Sequence, residues 1–114
     1  MRLLIDTLLE LPDEPDWRPL EAVGRLSRAS DALPSIDEDD FMYMAAALSV
    51  HGALTIHLYK HRETRRYLNL DDAGHAYRYC GPVPGGDADL MSGTYRLHQS
   101  LAAALVVAAD GAAA

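Results

Sequence analysis

From Ala53 to Cys80 the chain reads ALTIHLYKHRETRRYLNLDDAGHAYRYC, and its apolar and polar positions alternate with a period of two. Successive side chains of a strand leave opposite faces, so the alternation predicts extended structure. Leu54, Ile56 and Leu58 share one face of a first strand, and Thr55, His57, Tyr59 and His61 the other. A second run separates Leu68 and Leu70 from Arg65, Tyr67, Asn69 and Asp71; a third separates Ala76 and Cys80 from His75, Tyr77 and Tyr79. Asp72-Ala73-Gly74 supplies a hairpin turn, because glycine takes a positive φ without steric conflict. The spacing predicts a three-stranded antiparallel meander over about residues 53–80. If the apolar faces align, His57, Tyr59, His61, Tyr67, Asn69, His75, Tyr77 and Tyr79 gather on the opposite one.

The flanks carry helical signals. In residues 2–11, Arg2, Asp6 and Glu10 form one polar stripe of a helix, although Leu3, Ile5, Leu9 and Leu11 also share a period-two face; helix is the favoured reading. Pro12 and Pro15 end that element. Asp16 reads as the N-cap of a second helix to about Ala29, with Trp17, Leu20, Val23 and Leu26 inward. Ser35 and Glu38 have capping-box spacing, and Phe41, Met44, Ala45 and Leu48 continue at i, i+3, i+4 and i+7 toward a stop at Gly52. Gly81 to Asp87 is a loop by composition, and Ser92 or Thr94 caps a last helix over about residues 94–109, ending at Gly111. The expected fold is α+β: three N-terminal helices, the meander and a C-terminal helix, in one domain of residues 1–114.

Composition narrows the function classes. The net charge is −7, and residues 1–40 alone hold 11 acidic and 4 basic side chains. Phosphate-backbone binding needs a dominant basic surface, so this balance argues against nucleic acid as the main partner. The single cysteine, Cys80, excludes an internal disulfide, and no signal-peptide pattern or long apolar run is present. The expectation is a cytoplasmic, acidic protein with no membrane contact.

Candidate chemistry is sparse. His57 and His61 have zinc-ligand spacing on a helix, but in a strand they stand roughly 13 Å apart; no metal and no cofactor are expected. Cys80 lacks an arranged base, and Gly85-Gly86 lacks the lysine of a phosphate loop. The expected function is a non-enzymatic interaction protein, a regulator, inhibitor or adaptor. It would bind a protein partner, or a second copy in a homodimer, through Tyr59, Arg62, Arg65, Arg66, Tyr67, Tyr77 and Tyr79. The alternative is a small enzyme or ligand-binding domain in which His57, Tyr59, His75 and Tyr77 do acid-base work, with Asp71 or Asp72 orienting a histidine. A third reading stacks single-stranded nucleic acid on the basic, tyrosine-bearing hairpin.

Overall fold

The computed structural model describes residues 5–50, 54–82 and 92–110. Six strands are β1 (Ile5–Glu10), β2 (Phe41–Ser49), β3 (Thr55–His61), β4 (Tyr67–Asp71), β5 (Ala76–Tyr79) and β6 (Ser92–Leu97). Two helices, α1 (Arg18–Ala29) and α2 (Leu101–Asp110), and a short 3-10 turn at Glu38–Asp40 complete the described elements. Every strand runs antiparallel to its neighbours, and β1 pairs with both β2 and β6, so the sheet closes into a barrel.

This corrects the expected architecture of three N-terminal helices with a three-stranded sheet. Residues 5–10 are a strand whose Ile5, Thr7 and Leu9 share a face, so the period-two pattern prevails over the helical one. The third expected helix is β2, preceded by the 3-10 turn, where Asp37 rather than Ser35 accepts the Asp39 amide. The last helix starts at Leu101, after β6; Ser100 Oγ accepts the Ala103 amide as an N-cap does, 3.1 Å away. The stops expected at Gly52 and Gly111, and the loop from 83 onward, lie outside the described residues.

Helical periodicity misleads in β2 because both of its faces are buried. Ala45, Ala46 and Ala47 are buried in succession, two toward the interior and one toward the exterior. A bulge at Met44 makes this work. Tyr43 pairs with Tyr59 and Ala45 with Leu58, so one extra residue reverses the direction of everything before it. Phe41 and Tyr43 then point outward, whereas Ala45 and Ala47 point inward, where the narrow bore of six strands favours small side chains.

Two apolar clusters follow from the closure. Ala45, Ala47, Ile56, Leu58, Tyr77 and Tyr95 fill the barrel, with Ile5 and Leu9 packed against them. Outside, α1 and α2 lie on the barrel wall: Leu20 and Val23, with Ala104, Leu105 and Ala108, bury Phe41, Tyr59, Leu68, Leu70 and Ala76. Leu26 of α1, expected inward, is exposed. Beside the helix, Ser27 Oγ accepts the Ile36 amide and donates to the Gly24 carbonyl, fixing the segment that leads into β2.

Candidate functional site

Register decides where the sequence-predicted residues go. Tyr59 pairs with Leu68, His57 with Leu70, and Leu58 with Asn69. The leucines of β4 therefore share the outer face with His57 and Tyr59, while Tyr67, Asn69, Tyr77 and Tyr79 belong to the inner face with Ile56 and Leu58. The single histidine and tyrosine face does not form. α1 and α2 cover Tyr59 on the outer wall, the barrel wall buries Asn69 and Tyr77, and Tyr67 and Tyr79 stay exposed.

The named residues divide accordingly. Tyr59 is fully buried and Tyr77 is buried, its hydroxyl donating to Asp71 Oδ2 at 2.8 Å. Arg62 lines a different groove, beside Trp17 and Glu21, and its Nε donates to the Asp39 carbonyl. Arg65, Arg66, Tyr67 and Tyr79 are exposed. His57, Tyr59, His75 and Tyr77 are set on different sides of the wall: the first two are outside the barrel, Tyr77 is inside, and His75 is an exposed turn residue bonded to Asp71. His61 Nδ1 accepts the Glu63 and Thr64 amides and so closes the β3–β4 turn.

A groove does form where β4 and β5 part. These strands share only two paired positions, Asn69 with Tyr77 and Leu70 with Ala76. Beyond them, a cavity of about 410 Å³ opens between the strands and α2, lined by Arg66, Tyr67, Arg78, Tyr79, His98 and Val107 among others. Asn69 forms part of its wall. Its Nδ2 donates to the Tyr77 carbonyl, while its buried Oδ1 has no partner among the described residues. An adjoining cavity of about 300 Å³ shares Arg78 and His98 and adds Arg96. Arg78 and Arg96 stand directly opposite each other on β5 and β6, and the Arg96 Nε is buried without a partner among the described residues. Like charges in this position destabilise a sheet unless an anion lies between them.

A second cluster surrounds His57 on the outer wall. Its Nδ1 lies 3.0 Å from the Tyr43 hydroxyl, and its Nε2 lies 3.0 Å from Asp72 Oδ1 and 3.9 Å from Asp16 Oδ2. The bulge at Met44 is what places Tyr43 on this face. The Tyr59 hydroxyl donates to the Asp16 carbonyl at 2.5 Å, and the Trp17 ring packs on Tyr43 and Tyr59. The side-chain hydrogen bond from the Arg18 guanidinium holds the Asp16 carboxyl down at about 2, against the opposing effect of burial. Burial, with nearby carboxylates adding to it, pushes the Tyr43 and Tyr59 hydroxyls above their ordinary value. Both stay protonated near neutrality, so the cluster holds an imidazole and two carboxylates but no phenolate nucleophile. Cys80 is exposed, and its thiol faces the Arg78 carbonyl rather than a base.

Sequence reasoning reached His57 and named Asp16 only as a helix cap. Asp72 pairs with His57 and Asp71 with His75, each aspartate holding the histidine that its side of the turn brings near. The facing of Arg78 and Arg96 has no signal in the sequence, because like charges at facing register positions are invisible until the strands are aligned. No protein-family model, no curated protein and no solved structure matches this chain.

Proposed function

We propose that the protein is a non-catalytic interaction protein that docks an acidic segment of a protein partner in the groove between β4, β5 and α2. The observation that carries this reading is the facing pair Arg78 and Arg96, set beside Arg66 on an otherwise acidic protein. A carboxylate placed between the two arginines would relieve their repulsion and supply the missing acceptor for Arg96 Nε. The apolar wall formed by Leu68, Ala104 and Val107 suits an aliphatic or aromatic neighbour of that carboxylate, and Asn69 Oδ1 suits a backbone amide. Tyr67 and Tyr79 flank the opening as exposed aromatics of the kind that anchor protein interfaces.

Fluorescence anisotropy with a short labelled peptide rich in Glu and Leu tests the reading. Binding should weaken as salt rises and fall at least tenfold in an Arg66→Glu, Arg78→Glu double variant, whose changes are on exposed side chains. Undiminished binding in that variant refutes the groove as the site. Tighter binding of a labelled single-stranded oligonucleotide at the same groove would replace the acidic segment by nucleic acid as the partner.

A further inference from the structure

We propose that Asp16, His57 and Asp72 form a site for one divalent transition-metal cation of the zinc class. The three side chains come from separate parts of the chain: the segment before α1, strand β3 and the β4–β5 turn. Their ligand-type atoms lie within 4.8 Å of one another. Around tetrahedral zinc, with bonds of about 2.0–2.2 Å, neighbouring ligand atoms stand roughly 3.4 Å apart. The separations of 3.0 Å from His57 Nε2 to Asp72 and 3.9 Å to Asp16 straddle that spacing.

Two of the ligands are held in place before any ion arrives. The His57 side chain is 7% exposed and anchored through Nδ1 by Tyr43. Asp16 is clamped by Arg18, whose Nε and Nη2 reach its two carboxylate oxygens at 2.9 and 2.7 Å, and by the Tyr59 hydroxyl on its carbonyl. Asp72, in contrast, is 70% exposed and sits in a turn. It can swing to complete the coordination, and the approach from solvent runs past it. Water fills the remaining position, as in open zinc sites.

The hydrogen bonding around His57 tolerates the change. Zinc needs the lone pair of Nε2, so the ring proton must sit on Nδ1. A tyrosine hydroxyl donates to a bare Nδ1 and accepts from a protonated one, so the Tyr43 contact survives in either tautomer. Without the ion, a proton on Nε2 bridges to Asp72; with it, the cation takes that proton's place between the same two groups. One imidazole with two carboxylates is a borderline donor set, which favours zinc-class ions over magnesium. Arg18 Nη2 shares Asp16 Oδ2, the oxygen that faces His57, so the cation would use the second lone pair of that oxygen, and the guanidinium charge limits its affinity.

Isothermal titration of untagged protein with ZnCl₂ and, separately, MgCl₂, paired with thermal melts, tests the site. The expected result is one Zn²⁺ bound per chain with a raised melting temperature and no such response to Mg²⁺. Asp72→Asn should weaken zinc binding at least tenfold while its metal-free melting temperature stays close to that of the parent. A Cys80→Ser variant should bind as the parent does, since Cys80 takes no part. Absence of zinc binding, equal affinity in Asp72→Asn, or loss of binding in Cys80→Ser would each overturn the proposal.

Discussion

Replacing Asp71 by Asn should destabilise the fold by about 2–3 kcal/mol at pH 7, and the loss should fade in acid. Asp71 is 5% exposed, and its carboxylate is saturated by donors. Oδ1 accepts the Ala73 and His75 amides, each at 2.9 Å; Oδ2 meets His75 Nδ1 at 3.1 Å and the Tyr77 hydroxyl at 2.8 Å. Bonds to an ionised acceptor are worth roughly 1.5–3 kcal/mol and neutral ones about 1. Asn keeps the two amide bonds in weaker form and turns its amino group toward Tyr77, whose hydroxyl must then accept. Relief from burying a charge offsets part of the loss, which leaves about 2–3 kcal/mol, or a fall of about 10 °C in melting temperature for a chain of this size. Burial pushes the Asp71 carboxyl up, but the Tyr77 hydroxyl and the His75 amide and ring outweigh it, so the group titrates below its ordinary range. A depressed folded value contributes stability above the unfolded value of about 4, and that contribution disappears as pH falls through the folded one. Urea unfolding followed by circular dichroism at pH 7, 5, 4 and 3 measures the gap between parent and variant. Asp16 and Glu38, which also titrate low, are common to both and cancel in the difference. A gap as wide at pH 3 as at pH 7, or one under about 0.5 kcal/mol throughout, would refute the reasoning.

Three further outcomes are expected. Arg65 adopts φ 63°, a left-handed conformation that disfavours side chains, so Arg65→Gly should stabilise the fold by up to about 1 kcal/mol in urea titrations; destabilisation would show that the arginine makes a compensating contact. Leu105→Ala should cost about 2–4 kcal/mol in the same assay, because Leu105 is fully buried where α2 meets the barrel. Burial, aided by Asp71 at Tyr77 and by neighbouring tyrosines at Tyr59 and Tyr95, raises all three hydroxyls, Tyr95 to about 12. Stability held below the unfolded value of about 10 should therefore drain away as pH rises, with tyrosinate absorbance appearing together with unfolding rather than before it.

The parts of the fold legible in the chain are those with one buried face or a strong turn. α1 is amphipathic, with Leu20 and Val23 on its inner side, and Gly74 takes φ 86° at the turn between β4 and β5. β2 escaped because closure and helix packing bury both of its sides, which erases the contrast that alternation depends on, whereas β1 carries an apolar Leu8 and β6 an apolar Leu97 on exposed positions, which breaks the match between polarity and burial. Alternation also says which side chains of one strand agree, never which strands agree with each other. Pairing Leu58 with Asn69 instead of with a leucine is a one-residue step, and that step dissolved the expected aromatic face. Likewise nothing in the sequence announces the bulge at Met44, yet it is what turns Tyr43 toward His57.

The seam of the barrel joins Ile5 to Tyr95 and Leu8 to Ser92, so the first strand made must wait for the last. At ordinary ribosomal speeds, the interval from Glu10 to Leu97 lasts roughly 4–17 s. Throughout it, the nascent sheet presents raw hydrogen-bonding margins along β1 and later β5, the surfaces on which chains stick to one another. Among the described residues of the mature molecule every strand has a neighbour on both sides and only the short stretch where β4 and β5 part stays unpaired, so conditions that stall translation before β6 should favour clumping more than crowding the finished protein does.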